Sequence, residues 1–285
     1  MVRILADSSC DLTAAECQAH NIQIIPLTVT LEDGTVFQDG HVDLDRFYTH
    51  LASCKKLPTT SQPSPDSFAQ IYEEAQKAGD DVVIVTLSSG VSGTYQSACI
   101  GAQLADYEDH IFPVDSLNIS LAHGSLVLYA TRLRDEGHTA AEIAAELDRV
   151  KTHLHLFAMV NDLNNLRKGG RLNAAAAFTG GLLGIKPLLK VKDGKAVLIE
   201  KARGLPGAYA VIFKHMADYG GISKRLGCYA AYTDRPQQLD PILEFYKKND
   251  YPVTLTGRIG SVIGTHVGPG ALGIAYFDPG ADLDD

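Results

Sequence analysis

The stretch DVVIVTL, residues 81–87, is a continuous run of mostly β-branched apolar residues. Such a run is typical of a strand that is covered on both faces, as strands of a parallel sheet are. It ends in the polar segment SSGVSG, and a helical pattern begins near Thr94. The same order of short strand and helix is repeated around VRILA and around IFPV. This alternation predicts a doubly wound α/β domain with a mainly parallel sheet over about residues 1–155.

Local signals in this half give more detailed expectations. Thr13 and Glu16 have the spacing of a capping box, which predicts a helix that begins after Thr13. Residues 22–31, IQIIPLTVTL, are predicted to form one strand. Residues 57–65, LPTTSQPSP, are predicted to form neither helix nor strand, because prolines interrupt them.

The second half has a different pattern. Two strand-like runs flank Asp193-Gly194, a dipeptide that favours a tight hairpin turn. Two helical and three strand-like segments follow, which predicts a mixed sheet with helices on one face. The predicted fold is therefore α/β with two domains. Residues 1–155 form a three-layer α/β/α domain with a mainly parallel sheet, and residues 156–285 form a two-layer domain with a mixed sheet.

Composition excludes several classes of protein. The chain has 25 Lys and Arg against 34 Asp and Glu, a formal net charge of −9, which argues against a general nucleic-acid binder. No apolar run approaches the roughly 18 residues of a membrane span, and Asp7 comes too early for a signal peptide. We therefore predict a cytoplasmic protein. Five scattered cysteines without a C-x-x-C pair argue against disulfides and zinc knuckles.

Gly268, Gly270 and Gly273 spell G-x-G-x-x-G, the outline of a dinucleotide-binding turn. That turn must open a long helix, whereas ALGIAYF, around the last glycine, is strand-like and only 12 residues follow Gly273. We interpret these glycines as positions of positive φ or of close backbone approach. His153 and His155 could bind a metal, but no carboxylate at ligand spacing supports this. No cofactor and no metal are predicted.

Polar loops follow the predicted strands, and they are candidates for a ligand site at the carboxyl edge of the sheet. In SSGVSGTYQSA, Ser92, Gly93 and Thr94 stand at a helix start, where free N–H groups either bind an anion or are capped by Ser92 alone. Ser92, Asp115 and His266 also occur in the order of a hydrolase triad. GVSGT is not the nucleophile elbow of such enzymes, so a serine hydrolase or thioesterase is the alternative hypothesis.

The segment LRKGGR places Arg167, Lys168 and Arg171 around two glycines. These cations either lie in solvent at a helix end or form a basic patch for phosphate or an acidic partner. The sequence pattern alone does not decide between the two.

Seven motifs together resemble one known family: ADSSCDL, PTTSQPS, SSGVSGTYQSA, VDS, LRKGGR, LGIKPLL and GTHVGPGALGIAYF. In this order, from residue 6 to residue 277, they resemble the DegV family of bacterial fatty-acid-binding proteins. The resemblance implies a two-domain protein that holds one long-chain fatty acid between its domains. It also implies a subunit of a fatty acid kinase, without a nucleotide site of its own. A separate ATP-binding subunit would phosphorylate the carboxylate, and the acyl-phosphate would pass toward phospholipid synthesis at the membrane.

The resemblance also implies roles for individual residues. Thr60 and Ser92 would bind the carboxylate, with His266 close to the same head group. The supporting residues of the head-group loops would be Ser61, Gly93, Thr94 and Ser8. Arg171 and Arg203 would contact the partner or the membrane. We therefore predict that His266 faces Ser92 and Thr60 across a cleft between the domains.

Overall fold

The computed structural model describes residues 1–172 and 184–283, so Leu183 of the LGIKPLL motif lies outside the described part. The strands are β1 (Val2–Asp7), β2 (Ile22–Ile25), β3 (Thr28–Thr30), β4 (Val36–Gln38), β5 (Thr59–Ser61), β6 (Asp81–Thr86), β7 (Ile111–Asp115), β8 (Leu154–Met159), β9 (Ile185–Lys192), β10 (Lys195–Arg203), β11 (Cys228–Tyr232), β12 (Val253–Arg258) and β13 (Leu272–Phe277). The helices are α1 (Ala14–Ala19), α2 (Leu44–Ser53), α3 (Pro65–Ala78), α4 (Thr94–Leu104), α5 (Ser120–Asp135), α6 (Ala140–Val150), α7 (Asn164–Lys168), α8 (Gly204–Asp218), α9 (Asp240–Lys248) and α10 (Ser261–Val267).

The first half contains the predicted parallel sheet. Its strand order is β2-β1-β6-β7, and every pair is parallel. The side chains of β6 alternate between two cores, and residues 82–85 have no exposed surface. Val82 and Ile84 pack with α3 and α4, whereas Val83 and Val85 pack toward α5 and α6. The continuous apolar run at 81–87 is thus explained by a strand covered on both faces, and the three-layer prediction is confirmed.

The second half contains a six-stranded mixed sheet of order β10-β9-β8-β13-β11-β12, in which β11 and β12 form the parallel pair. The β9–β10 hairpin turns at Asp193 and Gly194, whose φ angles of 50° and 73° are those of the predicted tight turn. Helices α8 and α9 cover one face of the sheet. The boundary predicted after residue 155 falls inside β8, which pairs with β13 along its whole length.

Helix α5 joins the two halves. It contacts β1 and β6 of the parallel sheet and β11 and β13 of the mixed sheet. As a result, one cluster of buried apolar side chains continues from the first half into the second, from Ile4 and Val83 through Leu126 to Ala275 and Phe277.

Two sequence predictions in the first half were wrong. Residues 22–31 form two strands, because Pro26 lacks an N–H and the chain leaves the parallel sheet there. Residues 57–65 contain β5, because the prolines flank Thr59–Ser61 without interrupting it. β3 pairs antiparallel with both β4 and β5 in a separate small sheet.

Helix α10 was not predicted from the sequence, and it carries His266. The glycines that follow behave as expected from their positions. Gly268 and Gly270 have φ angles of 76° and 77°, and Gly273 lies within β13. None of the helices formed by residues 1–172 and 184–283 has the length and apolar character needed to cross a bilayer.

Candidate functional site

A cavity of about 230 Å³ lies between the two halves of the chain. Its walls come from the small sheet, from the loop before α4, from the β9–β10 hairpin and from α10. The polar side chains that line it are Thr60, Ser61, Gln62, Ser92, Arg171 and His266. Most of the remaining lining is apolar, including Leu27, Ile119, Val191, Ala196, Val262 and Ile263. The cavity therefore combines a polar cluster with apolar walls.

Thr60 and His266 meet at the polar cluster. Oγ1 of Thr60 lies 2.9 Å from Nε2 of His266, although 206 residues separate them in the chain. Thr60 is held by β5, whose central residue pairs with Val29 of β3. His266 is held by the last turn of α10. Ser92 lines the same cavity, so the structure brings together the three residues expected at a carboxylate.

His266 is neutral in this environment. Burial, and secondarily the Arg171 guanidinium, lower the pKa of His266 to about 4. Its Nδ1 is buried and has no hydrogen-bond partner among residues 1–172 and 184–283. A Cβ on Gly169 would clash with this ring, so the glycine allows the close approach. Nε2 is therefore the ring atom available to Thr60 or to a ligand.

The loop before α4 presents hydroxyl groups to the cavity. Oγ of Ser92 lies 2.9 Å from Oγ1 of Thr94, and the Thr94 N–H points to the Ser92 hydroxyl at 3.4 Å. Gly93 takes the N-cap position of α4, and a side chain there would clash with Gln62. Gln62 Nε2 in turn donates to Ser97 Oγ at 2.8 Å. Ser92 thus accepts the Thr94 N–H, as a helix cap does, and it also lines the cavity, as a ligand-binding residue does.

Of the other predicted residues, Arg171 lines the cavity, whereas Arg203 and Ser8 do not. Arg171 is part of its wall, where Nη1 donates to the Gly169 carbonyl at 2.6 Å and Nε to the Val91 carbonyl at 3.3 Å. Arg203 is exposed at the end of β10 and does not line the cavity. Ser8 lines a separate cavity of about 730 Å³, where its hydroxyl accepts the Leu27 N–H at 3.0 Å.

The hydrolase triad is not assembled. Oδ1 of Asp115 accepts the N–H groups of Ser89 and Leu117, at 3.1 and 3.0 Å. His266 contacts Thr60 through Nε2, and in the described part of the chain no carboxylate binds its Nδ1. A serine nucleophile needs a base whose other nitrogen is oriented by an acid. This arrangement gives Ser92 no such base.

The two histidines considered as metal ligands have another partner. His153 Nδ1 and His155 Nε2 lie 3.0 and 2.7 Å from the two carboxylate oxygens of Asp278. Among the residues that the structure describes, no group of three or more His, Cys, Asp or Glu side chains is arranged to hold a metal ion.

Sequence reasoning missed the contribution of the β9–β10 hairpin. Val191, Gly194 and Ala196 line the cavity, and the Gly194 carbonyl accepts the Ser88 hydroxyl at 2.7 Å. The sequence indicated only the two strands of the hairpin and the turn between them. Its placement against the Ser88 loop depends on how the two sheets pack, which no local pattern records.

Comparison with known proteins identifies the family. A family model, described as an uncharacterised protein of the DegV family, matches residues 1–278. The chain belongs to the DegV family. It is 33% identical to Protein DegV of Bacillus subtilis over 277 residues, which cover 96% of this chain and 98% of the relative.

Solved structures of fatty-acid-binding proteins have the same two-domain fold. A DegV family protein of Thermus thermophilus, described by its fatty acid binding, superposes with a TM-score of 0.88 at 30% identity, covering 97% of this chain and 99% of the other. A stearic-acid-binding protein of Eubacterium ventriosum has a TM-score of 0.88 at 25% identity, covering 99% and 100% of the two chains.

Proposed function

We propose that this protein binds a single long-chain fatty acid between its two halves, with the carboxylate at Thr60, Ser92 and His266. The observation that carries the proposal is the cavity itself, in which the Thr60–His266 pair and Arg171 adjoin apolar walls. A carboxylate needs hydrogen-bond donors when it is buried, and an acyl chain needs an apolar surface. The fatty-acid-binding relatives support the same ligand class.

The energetics assign different work to the two ends of such a ligand. Burying about 15 methylenes at about 0.8 kcal/mol each gives an upper bound near 12 kcal/mol. Each charge-assisted hydrogen bond to the carboxylate adds about 1.5–3 kcal/mol. The costs of association reduce both contributions. The tail therefore dominates affinity, while the head-group residues fix the position of the carboxylate.

A fixed carboxylate suits a carrier subunit. In this proposal, a separate ATP-binding kinase phosphorylates the carboxylate while this chain holds it. The acyl-phosphate then passes toward phospholipid synthesis during a transient contact with the membrane. Ser61, Gly93 and Thr94 would support the head group, and Ser8 would support it from outside the cavity by accepting the Leu27 N–H. The exposed Arg203, together with Arg171 in the cavity wall, would contact the partner or the membrane. The resemblance of the seven motifs to fatty acid kinase subunits supports this part of the proposal.

Mass spectrometry of an organic extract of the purified protein tests the ligand directly. We expect about one equivalent of long-chain fatty acid per chain, because apolar walls hold the tail strongly. A protein that is empty as purified, and that takes up no palmitate when incubated with it, would refute the ligand assignment.

Ligand binding is expected to raise the pKa of His266 from its ligand-free value of about 4. A carboxylate near the imidazole favours the protonated ring, by about one to three pH units for an opposite charge in contact. Binding then takes up protons in the window between the free and the bound pKa. NMR titration of the histidine resonances, with and without palmitate, measures the change. An unchanged His266 pKa would contradict a carboxylate at this position.

A further inference from the structure

The helix that carries His266 is capped by side chains from the other half of the chain. α10 begins after Gly260, which has no side chain to cap it. Oδ1 of Asp11 accepts the Gly260 N–H at 2.9 Å. Oδ1 of Asp39 accepts the Ser261 N–H at 3.0 Å and the Ser261 hydroxyl at 2.5 Å. Two carboxylates, 249 and 222 residues away, thus replace a local cap.

Both carboxylates are themselves fixed in the first half. Oδ2 of Asp11 accepts the hydroxyl of Ser120, at the start of α5, at 2.5 Å. The Asp39 N–H donates to the carbonyl of Leu27 at 2.9 Å, and Leu27 lines the head-group cavity. Asp39 is 4% exposed. The two caps therefore connect α10 to the start of α5 and to the small sheet of the first half.

Tyr48 adds a third anchor to the same segment. Its hydroxyl donates to the Ile259 carbonyl at 2.7 Å. A Cβ on Gly264 would clash with this hydroxyl, so α10 lies directly against Tyr48. The Arg258 guanidinium lies 5.5 Å from the centre of the Tyr48 ring. The residues on the N-terminal side of His266 are thus held by α2 as well.

A helix as short as α10 depends on such anchors. Seven residues are too few for a stable isolated helix, because nucleation outweighs the few hydrogen bonds formed. From Ser261 to His266 the helix rises about 7.5 Å, so a shift at its start reaches the imidazole within two turns. The position of His266 therefore depends on the contacts at the start of α10 as well as on its own contacts with Thr60 and Gly169.

We propose that Asp11 and Asp39 are positioning residues of the head-group site, which act through α10 to hold His266 at hydrogen-bonding distance from Thr60. This proposal rests on the proposed function, because it explains how His266, the histidine assigned to the carboxylate, is held in place. Neither carboxylate lines the cavity that contains Thr60, so neither is expected to touch the ligand.

The conservative variants should retain the fold. Burial raises the pKa of Asp39, and burial together with the charge of Asp39 raises the pKa of Asp11. A raised carboxyl pKa means that the ionised form costs stability at neutral pH. The neutral amide of Asp39→Asn or Asp11→Asn removes that cost and keeps one oxygen as an acceptor. We expect melting temperatures within about 3 °C of wild type for these two variants.

The test measures the ring ¹⁵N resonances and the pKa of His266 in the ligand-free protein, so that its outcome does not depend on fatty acid binding. We expect Asp39→Ala and Asp11→Ala to move the ¹⁵N resonances of the His266 ring and to raise its pKa by about one pH unit, as the ring loses its buried position. The asparagine variants should move the ring resonances and the pKa of His266 in the same direction by a smaller amount. Thr139→Ala removes a comparable helix cap, from α6, and should leave His266 unchanged.

A second readout connects the inference to the ligand. In protein loaded with [1-¹³C]palmitate, Asp39→Ala should move the carboxyl resonance, and Asp39→Ala/His266→Ala should move it no further than His266→Ala alone. Palmitate occupancy should stay within about twofold, because the tail dominates affinity. A wild-type protein that takes up no palmitate would refute the proposed function and leave the ring measurements to decide this inference.

Unchanged His266 resonances in folded Asp39→Ala and Asp11→Ala would overturn the inference. If the alanine variants do not fold, unchanged resonances in both asparagine variants would overturn it. A shift of equal size in Thr139→Ala would also do so, because it would show a general loss of stability.

Discussion

Replacing Thr60 or Ser92 with alanine is expected to slow acyl-phosphate formation by a cognate kinase about 100-fold, while the fatty acid stays bound. The reason is the division of work between the two ends of the ligand. In the proposed complex each hydroxyl would donate a hydrogen bond to the carboxylate, and the acyl chain would lie against the apolar walls of the cavity. Loss of one hydroxyl would then leave the tail in place and misplace the reacting oxygen.

The experiment compares two quantities in the same preparations. Fatty acid per chain is measured by mass spectrometry, and acyl-phosphate formation is measured in a reconstitution with the kinase and ATP. Thr59→Ala is the matched control, because Thr59 lies on β5 beside Thr60 but does not line the cavity. It should retain both quantities. An equal loss of binding and phosphorylation in Thr60→Ala would contradict the division of work.

A side chain that fills the cavity should instead reduce the binding of the fatty acid itself. Val191→Trp places an indole against the apolar wall contributed by the β9–β10 hairpin. We expect the affinity for fatty acid to fall about 5- to 140-fold, because overpacking costs about 1–3 kcal/mol and each 1.4 kcal/mol is a factor of ten. Aromatic residues suit strands, so the hairpin itself should tolerate the change.

Val197→Trp is the control for this variant. Val197 belongs to the same hairpin and pairs with Lys190, one position along the ladder from Val191. Successive strand residues point to opposite faces, and Val197 does not line the cavity. Lipid content measured by mass spectrometry should remain at the wild-type amount in Val197→Trp. Full occupancy in Val191→Trp would show that the acyl chain does not use this wall.

The parts of the fold that sequence predicted are those with local causes. The apolar run at 81–87 required a strand buried on both faces, and Thr13 with Glu16 forms the predicted capping box. Asp193-Gly194 specified the hairpin turn. Family motifs directed attention to Thr60, Ser92 and His266, and the structure brings these three to one cavity.

The parts that sequence could not predict depend on distant partners. β5 exists because Thr59–Ser61 pairs with β3, and three residues between prolines have no periodicity of their own. α10 is capped by Asp11 and Asp39, so its start carries no local signal. Likewise, no local sequence pattern indicates that His266 Nδ1 has no acid beside it among the described residues.

Helix α5 affects whether the two halves of the protein can unfold independently. Because it packs against both sheets, the same buried cluster stabilises the parallel half and the mixed half. Each half also has a buried cluster of its own, but this shared cluster couples the two, so we expect that loss of packing on one side of α5 lowers the stability of the other. The walls of the cavity between the halves should be affected by the same coupling.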